Sequence, residues 1–100
     1  MSLAEIQAEH RRIAILRMLA EQPDYRSNAS VLADALPLVA RISATRSQVL
    51  ADVVYLESIE AVRQEALGNG VVGVELTDRG LDAAQGRIVL PGVKRPSPRP

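Results

Sequence analysis

The sequence predicts a small α+β domain, and three features favour that class. Apolar residues recur every three or four positions in several segments, which is typical of amphipathic helices. Residues 62–77 alternate apolar and polar side chains instead, and Gly68-Asn69-Gly70 divides this stretch into two strands. Since 100 residues bury a single hydrophobic core, we expect one domain, residues 1–90, followed by a tail.

The composition excludes several kinds of functional site. The chain has no cysteine and one histidine, His10, so we expect neither a disulfide framework nor a metal site, and no cofactor. Tyr25 and Tyr55 are its two aromatic residues, which disfavours stacking on unpaired bases. The chain start lacks a signal-peptide pattern, and no apolar run is as long as a membrane span, so a cytoplasmic protein without membrane contact is expected.

The charges balance overall but are distributed unevenly. Basic and acidic side chains give a formal net charge of zero, so we expect no long-range attraction to a polyanion. The charged residues of the last part of the chain are all basic: Arg87, Lys94, Arg95 and Arg99. Residues 91–100 are rich in proline and arginine and are predicted to form a flexible tail.

The first helix begins at a capping box formed by Ser2 and Glu5 and ends near Glu21, before Pro23. The predicted buried stripe consists of Leu3, Ile6, His10, Ile13, Leu16 or Arg17, and Ala20. Ile15 and Met18 lie off this stripe. Either the last helix covers them or they form a dimer interface, to which Leu81 would also belong.

The second helix is predicted to be short. Ser27 or Asn28 caps it, and it runs to Leu36, where Pro37 ends or kinks it. The residues expected to face inward are Val31, Leu32, Ala35 and Leu36. Residues 38–42 then form a turn or a distorted continuation of the helix.

The third helix has two possible starts, Ser43 or Thr45, and Thr45 would form a capping box with Gln48. Its buried stripe consists of Val49, Val53 and Leu56 in either case. The residues expected to face outward are Arg46, Ser47, Gln48, Ala51, Asp52 and Tyr55.

A hairpin and a last helix complete the domain. Asn69-Gly70 suits a tight hairpin loop because both residues tolerate positive φ angles. Thr77 or Asp78 caps the last helix, which runs through Gln85 with Leu81 and Ala84 facing inward and Gly86 in the left-handed conformation. Gly80, in its first turn, is expected to permit close approach of a neighbouring element. Together the elements predict a winged helix-turn-helix with a three-helix core, a two-stranded β-hairpin wing and a C-terminal helix.

Two segments resemble bacterial winged-helix regulators of the ArsR and MarR kind. Leu56–Val62 is similar to the end of their recognition helix, and Leu76–Gly86 is similar to the passage from wing to last helix. More particularly, Gly86–Pro96 looks like a small winged-helix protein of Mu-like phages and prophages. The chain departs from the regulators at Glu60, where glycine is common, and lacks the paired metal-binding cysteines of ArsR sensors.

The resemblance implies a phage or prophage transcriptional regulator whose third helix enters the major groove of double-stranded DNA. Arg46 and Gln48 would bond guanine and adenine edges, and a homodimer would place two third helices roughly 34 Å apart. The predicted DNA-binding residues are Arg41, Thr45, Arg46, Ser47, Gln48, Arg63, Asn69, Lys94, Arg95 and Arg99. Asp52 and Glu57, on the same helix, oppose this function because acids repel phosphate.

The alternative is a non-catalytic adaptor for phage development or DNA packaging. Winged helices also bind proteins, and Ile15 and Met18, if exposed, would pair with a second copy or with another phage protein. Catalysis is not expected, because the carboxylates are scattered and no histidine or cysteine pair exists. The glycine turn lacks the lysine and following helix of a phosphate-binding loop.

Overall fold

The structure is a computed structural model that describes residues 1–97, and it has the predicted α+β class. In chain order it contains α1 (Leu3–Ala20), β1 (Arg26–Asn28), α2 (Ala29–Ala35), a π-helical turn (Leu36–Ala40), α3 (Arg46–Ser58), β2 (Val62–Gly68), β3 (Val71–Leu76) and α4 (Asp78–Ala84). Predicted contact Arg99 lies outside the described residues. Within residues 1–97, none of the helices combines the length and apolar character needed to cross a membrane.

The sheet has three antiparallel strands in the order β1-β3-β2. The prediction of a two-stranded wing is therefore wrong. β1 pairs with β3, with Arg26 opposite Glu75 and Asn28 opposite Gly73. A strand of three residues is too short to produce a visible alternation, so only its pairing with β3 defines it. Val74 belongs to the hydrophobic core on one sheet face, while Glu75 lies on the other.

Side-chain caps start the helices where the sequence predicts them. The N-cap residues are Ser2, Asn28, Thr45 and Thr77, and each side chain accepts a hydrogen bond from the backbone N–H three residues later. Of the two starts predicted for α3, Ser43 and Thr45, the second is correct. Its hydroxyl accepts from the Gln48 N–H, and the Gln48 Oε1 accepts from the Thr45 N–H at 2.9 Å, which completes the capping box.

Replacing Thr45 with alanine is expected to lower the free energy of unfolding by about 1 kcal/mol, because the Gln48 N–H loses the hydroxyl that accepts its hydrogen bond. Urea titration followed by circular dichroism measures this change. Ser47→Ala is the matched control, since Ser47 is the second residue of the same helix and is exposed. Equal losses in the two variants would contradict a specific role for the cap.

The buried face of α1 differs from the predicted stripe. Leu3 is 69 % exposed, and Ile6 and His10 are also exposed, whereas every buried α1 residue lies at Ala8 or beyond. The C-terminal part of α1 is covered by α3, α4 and β3 together, which buries more than one helical stripe there. The first two turns extend beyond the core, so their apolar side chains remain uncovered.

The chain between α2 and α3 is the predicted distorted continuation. Leu36 is fully buried, and its carbonyl accepts hydrogen bonds from the N–H groups of Arg41 and Ile42. Arg41 takes a left-handed conformation with φ 56°. Pro37 lacks an N–H group and so does not maintain the α-helical pattern. Val31, predicted to face inward, is exposed, while Leu32 is buried as predicted.

The segments Leu56–Val62 and Leu76–Gly86 contact each other. Thr77, at the start of α4, donates from its N–H to the Ala61 carbonyl at 3.1 Å and from its hydroxyl to the Glu60 carbonyl at 2.7 Å. Arg79 donates to the Ile59 carbonyl at 3.0 Å. Glu60 itself has φ 64°, the conformation that glycine adopts most easily. These motifs therefore hold the α3–β2 turn against α4, which is a structural role.

Gly80 provides the close approach that the sequence predicts. A Cβ atom at this position would overlap the Ala61 carbonyl oxygen and lie 2.7 Å from a methyl carbon of Leu76. The missing side chain thus allows the first turn of α4 to pack directly on the backbone preceding β2. The predicted end of α4 is also confirmed, since Gly86 has φ 79°.

Residues 91–97 pack against the helices. Leu90 and Val93 are buried in the core, and the Lys94 N–H donates to the Glu9 carbonyl at 3.3 Å. These contacts extend the packed part of the chain beyond residue 90, where the sequence placed the end of the domain and the start of a flexible tail.

Candidate nucleic-acid interface

The outward face of α3 is free of charge along most of its length. Val49, Val53 and Leu56 are fully buried, as predicted, and define the inward side. The opposite side carries four exposed residues spaced four, three and four apart, which places them in one row. This row, named here the α3 crest, consists of Ser47, Ala51, Val54 and Ser58.

Asp52 is buried, so its predicted outward position is wrong. It is 1 % exposed and accepts hydrogen bonds from Arg11, with the Nε atom at 2.6 Å, and from Arg12, with the Nε atom at 3.3 Å. A buried carboxylate requires such partners, because it loses its hydration. The negative charge is therefore paired inside the domain and does not lie on the outward face of α3.

A sequence signal existed for the burial of Asp52. It lies three residues after Val49 and four before Leu56, which places it on the apolar stripe of α3. Arg11 lies off the stripe predicted for α1, although the structure buries it. The sequence therefore indicated the burial of the acid but not its partner.

Glu57 is directed toward the β2–β3 hairpin, which is called the wing below. Its two carboxylate oxygens accept from the backbone N–H of Gln64 at 2.7 Å and from the Gln64 side-chain amide at 2.9 Å. The carboxylate thus satisfies a backbone donor of β2, which is an edge strand of the sheet. Glu57 lies on the wing-facing flank of α3, beside the crest.

Arg46 joins the start of α3 to the tip of the wing. Its guanidinium donates to the Gly70 carbonyl at 2.7 Å. The hairpin loop reaches this position through consecutive positive φ angles at Gly68, Asn69 and Gly70. The structure therefore brings two predicted DNA contacts, Arg46 and Asn69, into one region.

The other predicted DNA contacts near the N-terminus of α3 differ in which of their hydrogen-bonding groups are free. Gln48 uses its amide oxygen in the capping box, so it retains only its amide donors unless the cap opens. This arrangement does not support bidentate bonding of Gln48 to adenine. Ser47 and Arg41 are exposed, and Arg41 shares with Gln48 a cleft of about 370 Å³ beside the N-terminal half of α1.

Arg63 lies at the base of the wing in a row of alternating charge. Its strand neighbour is Glu75, which in turn pairs with Arg26 at 3.0 Å. The hydrogen bond to Glu75 and the negative charge of that carboxylate raise the pKa of the Arg26 guanidinium. This part of the sheet is therefore close to neutral, and Arg63 does not join Arg46 in a basic surface.

The basic residues of the C-terminal segment lie elsewhere. Lys94 and Arg95 line, with Arg17, a cavity of about 900 Å³ between the ends of α1 and α4, and no α3 residue lines it. Within the described residues, the structure thus separates Lys94 and Arg95 from the α3 crest. They remain predicted phosphate contacts of a second, more distant surface.

The predicted dimer residues are mostly covered within the single chain. Ile15 has no accessible surface and Met18 is buried, so both are covered by other residues of the same chain. They offer almost no surface to a second copy. Leu81, on α4, is partly exposed.

Tyr55 has a role that sequence reasoning missed. Its hydroxyl donates to the Pro91 carbonyl at 2.7 Å, and the Arg12 guanidinium lies 4.0 Å from its ring centroid. Arg12 also donates to the Gly92 carbonyl at 2.9 Å. The cluster connects α1, α3 and the C-terminal segment, so Tyr55 supports the helix from the side opposite the wing.

The comparisons with known proteins agree with a phage association. No protein-family model matches the chain, and no solved structure matches it. The chain is 38 % identical over 95 residues to the uncharacterized protein gp26 of Escherichia phage Mu, an alignment that covers 95 % of this chain and 96 % of the relative. The chain therefore belongs to the family of this phage Mu protein.

Proposed function

We propose that this protein binds double-stranded DNA through α3, as a winged helix-turn-helix. The observation that carries the proposal is the exposed α3 crest, which has no acidic side chain and is flanked by Arg46 at the wing tip. Asp52 and Glu57 are the two acids of α3 that oppose this function. The carboxylate of Asp52 is paired with two arginines inside the domain, and that of Glu57 is hydrogen-bonded through both oxygens to β2.

The order of the elements supports the same fold. A short connection joins α2 to α3, and the β2–β3 hairpin follows α3 directly. In a helix-turn-helix the second helix of the pair lies in the major groove with its N-terminal residues on the base edges. Here that helix is α3, whose N-terminal turn carries Arg46 and Ser47.

In this arrangement Arg46 contacts guanine or a phosphate, and Arg41 contacts the DNA backbone. The chain has a net charge of zero, so binding depends on these local cations and not on the field of the whole molecule. We propose a role in phage or prophage transcription in the cytoplasm of the host. The similarity to the phage Mu protein supports the phage association.

Selection of bound sequences from random duplex DNA at physiological salt tests the proposal. We expect enrichment of a defined sequence, with an affinity that falls as the salt concentration rises. A dimer would select two related half-sites about 10 base pairs apart. The absence of any enriched duplex would contradict DNA binding by this protein.

Arg46→Ala is expected to weaken binding to the selected duplex about tenfold, since a specific arginine contact contributes about 1–3 kcal/mol. Fluorescence anisotropy with labelled duplex measures the affinity. Arg87→Ala is the matched control, because it also removes one arginine. Arg87 pairs with Asp82 of α4 and is not a predicted DNA contact. A similar loss in both variants would indicate a general charge effect and would count against Arg46 as a direct contact.

An adaptor that binds another phage protein is the second candidate. The observation that favours it is an apolar surface on α2 and the π-helical turn, where Leu38 is 84 % exposed beside exposed Val31 and Val39. Gel filtration with purified phage proteins distinguishes the candidates. An adaptor forms a stable complex that Leu38→Ser disrupts, and it enriches no DNA sequence.

A further inference from the structure

We propose that α3 recognises thymine through the C5-methyl group in the major groove, with Val54 as the principal contact. This inference rests on the proposed DNA binding and concerns which base edges the same helix contacts. It assigns a role to the apolar middle of the crest, in addition to the contacts proposed for Arg46 and the helix N-terminus.

Val54 is the one large apolar side chain of α3 that is exposed. Its side chain is 57 % exposed, while Val49 and Val53 of the same helix are fully buried. Leu50 lies four residues earlier, is partly exposed, and packs against the hydrophobic core. Together with Ala51 these side chains form one continuous apolar surface on the middle of α3.

The chemistry of the groove matches this surface. Guanine, adenine and cytosine present hydrogen-bonding groups in the major groove, whereas thymine also presents a methyl group, which aliphatic side chains contact. The side chains of this surface carry no hydrogen-bonding group, so they cannot form hydrogen bonds with the polar edges of the bases. It is suited to methyl groups.

The charged groups around the surface match DNA better than an apolar protein partner. The cations lie at one end, and the acid beside the crest, Glu57, has both carboxylate oxygens hydrogen-bonded to β2. Arg46 lies at the N-terminal end of α3, and exposed Arg41 precedes that end. Ser47 and Ser58 extend the crest with neutral hydroxyl groups at both ends. Cations at the end of an uncharged row match phosphates at the rim of a groove whose floor carries methyl groups.

Replacement of thymine by deoxyuridine tests the proposal directly, because it removes the methyl group and keeps the base pairing. In the selected duplex, each thymine is replaced in turn, and the affinity is measured by fluorescence anisotropy. The wild-type protein is expected to bind about fourfold more weakly for each methyl group that Val54 contacts. Val54→Ala is expected to weaken binding to the thymine duplex and to lose most of the thymine–uracil difference.

Val31→Ala is the matched control, since Val31 is similarly exposed but lies on α2. It is expected to retain the full thymine–uracil difference. Equal wild-type affinity for thymine and uracil at every position, or an unchanged difference in Val54→Ala, overturns the thymine proposal and leaves DNA binding intact. If selection enriches no duplex and a protein occupies the crest instead, both proposals fail.

Discussion

Asp52→Ala is expected to lower the free energy of unfolding by about 3–5 kcal/mol, because it leaves the buried guanidinium of Arg11 without its carboxylate partner. Arg12 keeps its contacts with the Gly92 carbonyl and the Tyr55 ring in this variant. Most of the lost stability therefore comes from the unpaired charge of Arg11. A domain of this size is stable by roughly 5–15 kcal/mol, so the variant loses a large part of its stability. Urea-induced unfolding followed by circular dichroism measures the change.

Two further variants identify the cause of this loss. Asp34→Ala removes an exposed acid from α2 and is expected to change stability by less than about 0.5 kcal/mol. Replacing both members of the pair, in Arg11→Met with Asp52→Leu, is expected to restore much of the stability, because no buried charge remains unpaired. A loss below about 1 kcal/mol in Asp52→Ala would show that the pair is not desolvated in solution.

Gly80→Ala is expected to destabilise the protein by about 3 kcal/mol, because its Cβ would overlap the backbone carbonyl of Ala61. The carbonyl oxygen also accepts the Thr77 N–H, so α4 would have to move away from the start of β2. At an unhindered helical position the same substitution stabilises by about 0.5–1 kcal/mol. A loss of stability therefore indicates steric overlap, whereas a gain would indicate that helix propensity dominates.

Thermal unfolding measures this effect, since 1 kcal/mol corresponds to a shift of about 4–8 °C in Tm for a domain of this size. Gly70→Ala is the control at the wing tip, where a Cβ would meet no atom within 4 Å but the φ of 73° remains unfavourable. Its expected cost is about 1–2 kcal/mol. A Gly80→Ala variant as stable as the wild type would contradict the close packing of α4 on Ala61.

The local features of this fold follow from short sequence patterns. Thr45 and Thr77 cap helices because a side-chain oxygen satisfies a nearby N–H group, whatever the rest of the chain does. The hairpin loop at Asn69-Gly70 and the end of α4 at Gly86 depend on backbone conformations that few residues adopt easily. Such signals act over three or four residues, so they can be read directly from the sequence.

The predictions that proved wrong concern residues whose environment depends on distant parts of the chain. Leu3 and Ile6 fit an apolar stripe, but nothing in the described residues covers them, because the packed elements lie against the later turns of α1. Strand β1 exists through its pairing with β3, which lies more than forty residues further along the chain. Neither outcome is encoded in local periodicity.

The sequence by itself determined the α+β class, the helix starts to within two residues, the hairpin and the position of α3. Tertiary structure alone decided which faces are covered, including the burial of Asp52 with Arg11 and the exposure of Val54 on the crest. The physical reason is that hydrogen-bonded caps and turns form between neighbouring residues, whereas burial and ion pairing depend on which helices meet in space.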